Sequence, residues 1–198
     1  MSNHSFTTIM ARPLSEEKRD AILAAAAALV ATHGVGASTA QIARAAKVAE
    51  GTVFTYFDTK DALLNEVFVR LETRLSLALG DAFPVDGDPR SQFEHCWNAL
   101  IAWGAAHPVD RMALRQLKVS ERINDSTRTQ CAAMFGTMLQ SLETSLGQYV
   151  AAERIPFYLG RVLMSLLETT LEAIAAEPSQ RKALQQAGFE LFWKGIQK

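Results

Sequence analysis

The chain has 198 residues, of which 48% are hydrophobic and 21% are charged, and its formal net charge is -1. This apolar share is ample for a packed core and excludes general disorder, while the charge balance excludes a polycation that coats nucleic acid. The two cysteines, Cys96 and Cys131, lack CxxC spacing, so we expect reduced, buried thiols.

The N-terminal stretch shows no targeting signal. Residues 1–13 are predicted to form an arm that ends at Pro13, without the basic-then-apolar order of a signal peptide. The longest apolar run, Ala21 to Ala31, is half the length of a membrane span. We therefore expect a soluble, cytoplasmic protein with no membrane partner.

The first part of the chain predicts one helix followed by two short ones. Apolar residues recur at three- and four-residue steps from about Glu16 to His33, and Gly34 is a natural stop. Ser38 and Gln41 have the spacing of a capping box, which begins a short helix over residues 40–46. A turn over residues 47–49 and a second short helix over about 50–57 follow.

The remaining pattern is helical to the end. Asp58 and Asp61 have N-cap spacing for a long helix to about Leu79, and residues 80–90 hold two prolines and two glycines. Further helices are predicted over about 89–106, 108–120, 125–151, 156–176 and 180–196. The sequence thus predicts an all-α fold of about nine helices. We expect a three-helix head with its arm over residues 1–60 and a helical effector-binding and dimerisation domain over residues 61–198.

The two short helices and the helix before them are typical of a helix-turn-helix. In that motif the second helix enters the major groove, with its N-terminal residues towards the base edges. Val53 and Phe57 are expected to anchor this helix from below. The groove side or its rim is then left to Glu50, Gly51, Thr52, Phe54 and Tyr56. The charge of this region adds little support for DNA binding, since residues 1–60 carry six Lys and Arg against five Asp and Glu.

The stretch STAQIARAAKVAEGTVFTYFDTKDALL resembles the signature of the TetR (tetracycline-repressor) family. Its most specific part is GTVFTYF followed three residues later by Lys60, and the resemblance covers Lys18 to about Val67. It implies a bacterial transcriptional repressor that binds double-stranded operator DNA as a homodimer. It further implies release from a near-palindromic operator by a small, largely apolar effector.

The resemblance also implies roles for individual residues. Thr52 and Tyr56 match positions that contact phosphates or base edges, while Thr39 and Lys60 match phosphate-contacting positions. Phe54 matches a position that is usually tyrosine. Glu50 stands where specificity varies, and a carboxylate there can accept from a cytosine N4. The candidate DNA-binding set is therefore Thr39, Lys47, Glu50, Gly51, Thr52, Phe54, Tyr56 and Lys60.

Two residues of the motif depart from the family pattern. Lys47 replaces the usual glycine of the turn, where a left-handed backbone is less comfortable, and it can compensate by reaching a phosphate. Ala49 replaces the usual serine cap of the recognition helix, which forfeits about 1 kcal/mol of capping. We expect these changes to affect affinity more than fold.

The C-terminal region is rich in aromatic residues and methionine, which suits an adaptable pocket or an ordinary helical core. The candidate effector-pocket residues are Phe93, Trp97, Ile101, Met134, Phe135 and Met138. The last two helices carry more apolar surface than peripheral helices bury alone, so pairing across a two-fold axis is expected. The candidate interface residues are Leu163, Leu167, Phe189, Phe192 and Trp193.

Two alternatives come from other classes of protein. A helical-bundle enzyme is disfavoured because the sequence has no HExxH, phosphate-loop or GxSxG pattern, and His33, His95 and His107 lack metal-ligand spacing. We therefore predict no enzymatic activity, no cofactor and no metal site. The other alternative is a DNA-binding protein without an effector, acting as an architectural or partner-binding protein.

Overall fold

The computed structural model describes residues 15–197, and this part of the chain is helical without a strand, so the predicted all-α fold is confirmed. The predicted arm over residues 1–13 lies outside the described residues. A π-helical segment, Tyr158–Leu163, directly joins the helices Ile155–Phe157 and Met164–Ala176. The helices are α1 Glu16–His33, α2 Thr39–Ala45, α3 Glu50–Tyr56, α4 Lys60–Gly80, α5 Pro89–Ala106, α6 Pro108–Lys118, α7 Asp125–Ala133, α8 Gly136–Leu146, α9 Ile155–Phe157, α10 Met164–Ala176 and α11 Arg181–Ile196.

The predicted helix over residues 125–151 is wrong in its extent, because the chain forms two helices there. α7 and α8 are separated at Met134 and Phe135, and α8 ends at Leu146. Cys131 in α7 belongs to one hydrophobic core, whereas Leu142 in α8 belongs to another. The break at Met134 and Phe135 thus lies between the segment that packs in the first core and the segment that packs in the second.

Two helix starts show how far the capping predictions hold. The capping box of α2 is formed, because the Ser38 side chain accepts from the Gln41 N–H and the Gln41 side chain accepts from the Ser38 N–H. The predicted cap of α4 at Asp58 is wrong. Thr59 caps this helix by accepting from the Ala62 N–H at 3.0 Å. Asp61 is instead paired with Arg122.

The helices enclose two hydrophobic cores. The first core joins α1, α2, α3, α4 and α6 and extends to Ile123 and Cys131, while the second joins α5, α8, α10 and α11. α1 packs along α6, so the head and the body share the first core. Both cysteines are free and buried, and burial raises the pKa of Cys96 to about 12. No helix formed by residues 15–197 is long and apolar enough to cross a membrane.

Candidate nucleic-acid interface and effector cavity

α2 and α3 are joined by the tight turn that a helix-turn-helix requires. Lys47 lies in the left-handed region with φ of 56°, where a side chain is disfavoured relative to glycine. The Val48 N–H donates to the Ala43 carbonyl at 3.0 Å and closes the turn. Ala49 provides no side-chain cap for α3, as the sequence predicted.

α3 has an inner and an outer face. Val53 and Phe57 are buried in the first core, as predicted. On the opposite face Gly51 is open and the ring of Phe54 is 46% exposed. Thr55 is exposed beside them and is not among the predicted DNA-binding residues. Its spacing of four residues from Gly51 was the available signal, since such residues share a helix face.

The first residues of α2 and α3 are bonded to each other. The Thr39 hydroxyl donates to Glu50 Oε1 at 2.6 Å. Thr39 is half-buried and Glu50 is exposed, so the pair lies at the surface of the head. Thr52, two residues after Glu50, is half-buried, and its N–H donates to the Ala49 carbonyl at 2.9 Å.

Tyr56 lies at the rim of the head, where it joins α3 to the start of α1. Its hydroxyl accepts a hydrogen bond of 2.9 Å from the Ser15 N–H, and its ring packs against the first core. A tyrosine hydroxyl that accepts one hydrogen bond can also donate one, for example to a phosphate. Tyr56 can therefore both position α1 and contact DNA.

Lys60 is the first residue of α4 and is half-buried. Burial lowers the pKa of its ammonium group, and the Arg122 guanidinium lowers this pKa further, while Asp61 raises it. A lysine at the start of a long helix adds its charge to the unpaired N–H groups of the first turn, which attract anions. This arrangement suits contact with a DNA phosphate.

The start of α4 is tied to the loop that follows α6, residues 119–124, which we call the strap. Arg122 donates from Nη1 to Asp61 Oδ1 at 2.7 Å. The side chain of Asn65 donates to the Arg122 carbonyl at 2.9 Å and accepts from the Asn124 N–H at 3.1 Å. Three hydrogen bonds thus fix the strap to the first turns of the helix that carries Lys60.

The strap is itself held by Arg128 of α7. The guanidinium donates to three backbone carbonyls, at 3.0 Å, 2.8 Å and 3.2 Å, which belong to Lys118, Ser120 and Ile123. Charged donors of this kind make stronger hydrogen bonds than neutral ones. The strap is therefore a well-fixed connection between the end of α6 and α4.

A cavity of about 600 Å³ lies between α4, α5, α6, the π-helical segment and α10. This volume is within the range of small-molecule sites. Its charged lining residues are Arg111, Arg115, Lys118, Arg161, Glu168 and Glu172. Its apolar lining includes Leu75, Leu100, Trp103, Leu114, Met164 and Leu171.

None of the six predicted pocket residues lines this cavity. Phe93, Trp97 and Ile101 are buried in the second core, where the Trp97 indole N–H donates to the Gln185 carbonyl at 2.9 Å. The other three, Met134, Phe135 and Met138, are half-buried against the first core. An aromatic and methionine stripe identifies an apolar face, but sequence alone does not tell a filled core from a lined cavity.

The five predicted interface residues are all buried inside the protomer, in the second core: Leu163, Leu167, Phe189, Phe192 and Trp193. On the same segments, Phe157 is 57% and Leu191 is 63% exposed. Together with Val162 and Leu166 they line an open, mainly apolar groove on the outside of α10 and α11, which Ser165 and Arg161 border. We call this surface the α10–α11 groove.

The comparisons with known proteins agree with this architecture. The profile of bacterial regulatory proteins of the tetR family matches residues 22–67, which include α2 and α3. The HTH-type transcriptional repressor Rv3405c of Mycobacterium tuberculosis is 34% identical over 125 residues, 63% of this chain and 66% of its own length. The chain thus spans about two thirds of this relative.

Solved structures match over nearly the whole chain. A TetR-family regulator from Shewanella sp. PV-4 has a TM-score of 0.75 at 26% identity, over 90% of this chain and 97% of its own. The regulator FadR of Bacillus subtilis, solved in complex with stearoyl-CoA, has a TM-score of 0.62 at 15% identity, over 88% and 97%. The head and body together define a helix-turn-helix regulator. The chain belongs to the TetR family of bacterial transcriptional regulators.

Proposed function

We propose that the protein is a ligand-responsive repressor that binds a near-palindromic operator as a homodimer and leaves it when a small molecule occupies the cavity. One observation carries the proposal. Lys118 and Val119 line the cavity where α6 passes into the strap, and the strap is bonded to α4 close to Lys60. The ligand site and the DNA-contacting helix are therefore neighbours through one fixed loop.

The contacts of α6 suggest how occupancy reaches the head. Lys118 is paired at 3.1 Å with Glu72 of α4, whose side chain is only 4% exposed. α6 also packs along α1, so a shift of α6 moves both α1 of the head and α4, which begins at Lys60. An effector acts only through its different affinity for the two arrangements of these helices. The stearoyl-CoA complex of FadR supports effector binding in a body of this fold.

The α10–α11 groove supports the homodimer. Phe157 and Leu191 expose large apolar side chains on adjacent segments, and a two-fold contact would bury both pairs. Such a pairing forms a four-helix bundle from α10 and α11 of two protomers. The two heads would then address half-sites about 34 Å apart, one turn of DNA.

Fluorescence anisotropy tests the DNA-binding half of the proposal. The DNA upstream of the protein's own gene is titrated against a scrambled duplex over a salt series, followed by selection from random DNA. Lys60→Ala and Thr52→Ala should each weaken operator binding about tenfold or more. The control Lys182→Ala, at an exposed residue of α11, should not weaken it. Failure to select any sequence from random DNA would overturn the proposal.

A further inference from the structure

The cavity that the proposed function assigns to an effector has an apolar floor. Leu75, Trp103, Leu114 and Leu171 line it, and all four are buried in the two cores. Leu171 packs closely on Gly104, where a Cβ would lie 2.8 Å from Leu171 Cδ1. The floor therefore offers a preformed apolar surface to a ligand.

The rim of the cavity is charged, with an excess of cations. Arg111, Arg115 and Lys118 stand on one face of α6, at four- and three-residue steps, and Arg161 faces them from the π-helical segment. The carboxylates that line the same cavity belong to Glu168 and Glu172 of α10. Four cationic side chains thus meet two anionic ones.

The ion pairs leave two of these cations under-neutralised. Arg111 is bonded to Glu168, and Arg115 shares the same carboxylate oxygen from 4.0 Å. Lys118 is neutralised by Glu72 from behind the cavity. Among residues 15–197 neither Arg161 nor Glu172 has an ion-pair partner, so three arginines stand against two carboxylates once Lys118 is paired with Glu72. The rim therefore presents positive charge that an anion can neutralise.

The segment that supplies Arg161 has an unusual backbone. Tyr158–Leu163 is π-helical, a form that is rare and occurs frequently at functional sites. It contributes Gly160 as well as Arg161 to the cavity, and a Cβ built on Gly160 meets no atom within 4 Å. The cavity is thus open beside the unpaired arginine.

We propose, resting on the function proposed above, that the effector is an amphipathic carboxylate. Arg161 and Arg115 bind its carboxylate group at the rim, and its apolar body lies on Leu75, Trp103 and Leu114. An uncharged amphiphile of equal length gains only the contacts of the floor. A cationic amphiphile meets repulsion from the two arginines.

Isothermal titration calorimetry with three probes of equal length tests this assignment without DNA: octanoate, octan-1-ol and octylamine. Octanoate should bind about tenfold more tightly than octanol, and octylamine should bind least. A hydrogen bond between an arginine and a carboxylate contributes enough binding free energy for a difference of this size. Arg161→Gln should remove the octanoate advantage and leave octanol binding unchanged. The control Arg181→Gln, at an exposed residue of α11, should leave all three affinities unchanged. Equal affinities for the three probes, or no octanoate binding, would overturn the proposal.

A second pair of variants locates the binding. Gly160→Phe fills the open space beside Arg161 and should abolish octanoate binding, whereas Gly136→Phe, equally open but in α8, should not. Octanoate binding that survives Gly160→Phe would place the carboxylate elsewhere and overturn the proposal. Operator binding of the same variants, measured by anisotropy, separates the two proposals. A loss of octanoate binding with intact operator binding concerns this inference alone.

Discussion

The Thr39 hydroxyl donates a hydrogen bond of 2.6 Å to the Glu50 carboxylate, which joins the first residue of α2 to the first residue of α3. The resemblance to the TetR family implies DNA contacts for both residues. In the free head, however, the carboxylate accepts the proton that a phosphate would accept from Thr39. DNA and Glu50 therefore compete for one hydroxyl.

Replacing Glu50 with glutamine should strengthen binding to DNA of any sequence. Glu50→Gln keeps an oxygen that can accept from Thr39 but removes a negative charge that repels phosphates. We expect a gain of about three- to tenfold for a scrambled duplex at low salt, which shrinks as salt rises. Anisotropy titrations measure this gain in affinity, and Glu143→Gln, at an exposed residue of α8, is the control. Unchanged affinity for scrambled DNA would contradict this interpretation of the pair.

Adding a hydroxyl to Phe54 should strengthen operator binding. The ring is 46% exposed on the outer face of α3, at a position that is usually tyrosine in the family it resembles. Phe54→Tyr supplies a donor to a phosphate, and one such hydrogen bond is worth about 1 kcal/mol, or about fivefold in affinity. Phe83→Tyr is the control, because this ring is half-buried between α4 and α5 and lies outside both the head and the α10–α11 groove. A Phe54→Tyr affinity equal to that of the wild type would show that α3 does not place this ring near the backbone.

DNA affinity should fall at a lower pH than it would if Lys60 had the pKa of an ordinary lysine. Burial and Arg122 lower the pKa of Lys60, so its charge is lost as pH rises through this lowered value, and the phosphate contact is lost with it. Measuring affinity from about pH 7 to about pH 10 tests this dependence. Lys60→Arg should flatten the profile, because arginine stays charged over this range. Arg122→Gln should move the loss of affinity to higher pH. An identical profile for the wild type and Lys60→Arg would exclude Lys60 as the titrating group.

Lys47→Gly should stabilise the fold and weaken DNA binding at the same time. A left-handed backbone costs a non-glycine residue about 1 kcal/mol, and relief of this cost should raise Tm by about 2–4 °C. The lost cation should reduce affinity for DNA. Ala82→Gly, at φ of 53°, should raise Tm without changing DNA affinity, and calorimetry with anisotropy measures both effects. A lower Tm for Lys47→Gly would show that the left-handed backbone at Lys47 does not destabilise the fold.

Leu191→Glu should convert the protein to monomers. The side chain is 63% exposed in the α10–α11 groove, where a carboxylate would be buried against its symmetry mate. Sedimentation equilibrium measures the mass, and operator affinity should fall about tenfold or more because the two heads are no longer linked. Leu77→Glu, at 70% exposure on α4, is the matched control and should remain dimeric. A dimer that survives Leu191→Glu would place the interface elsewhere.

The head could be predicted from the sequence because local chemistry determines it. The capping box of Ser38 and Gln41, the uncapped Ala49 and the inward Val53 and Phe57 all involve residues close along the chain. Patterns of this kind report backbone geometry within a turn or two. For Lys47 the expectation of a left-handed backbone came instead from the family resemblance, in which glycine is usual at this position, and φ of 56° agrees with it.

The cavity could not be predicted because it depends on long-range packing. Arg161 and Arg115 line one cavity although they lie far apart in the sequence, and no local pattern indicates a π turn. Helix periodicity likewise identified apolar stripes on the last two helices, but not which stripe the protomer fills. Phe192 faces inward and Leu191 outward, although they are adjacent in the sequence.

The packing of α1 along α6 within the shared first core has a consequence for protein engineering. Reading heads are attractive parts to exchange between regulators, so that a sensor for one compound can be directed to another promoter. Here a graft that ends at residue 60 would separate Ile22 and Val30 from Leu114 and Leu117, which share their core. A hybrid sensor would need α6 and the facing side of α4 matched to the donor's α1. The part to be matched in such an exchange is thus the set of contacts among α1, α4 and α6, and not only residues 1–60.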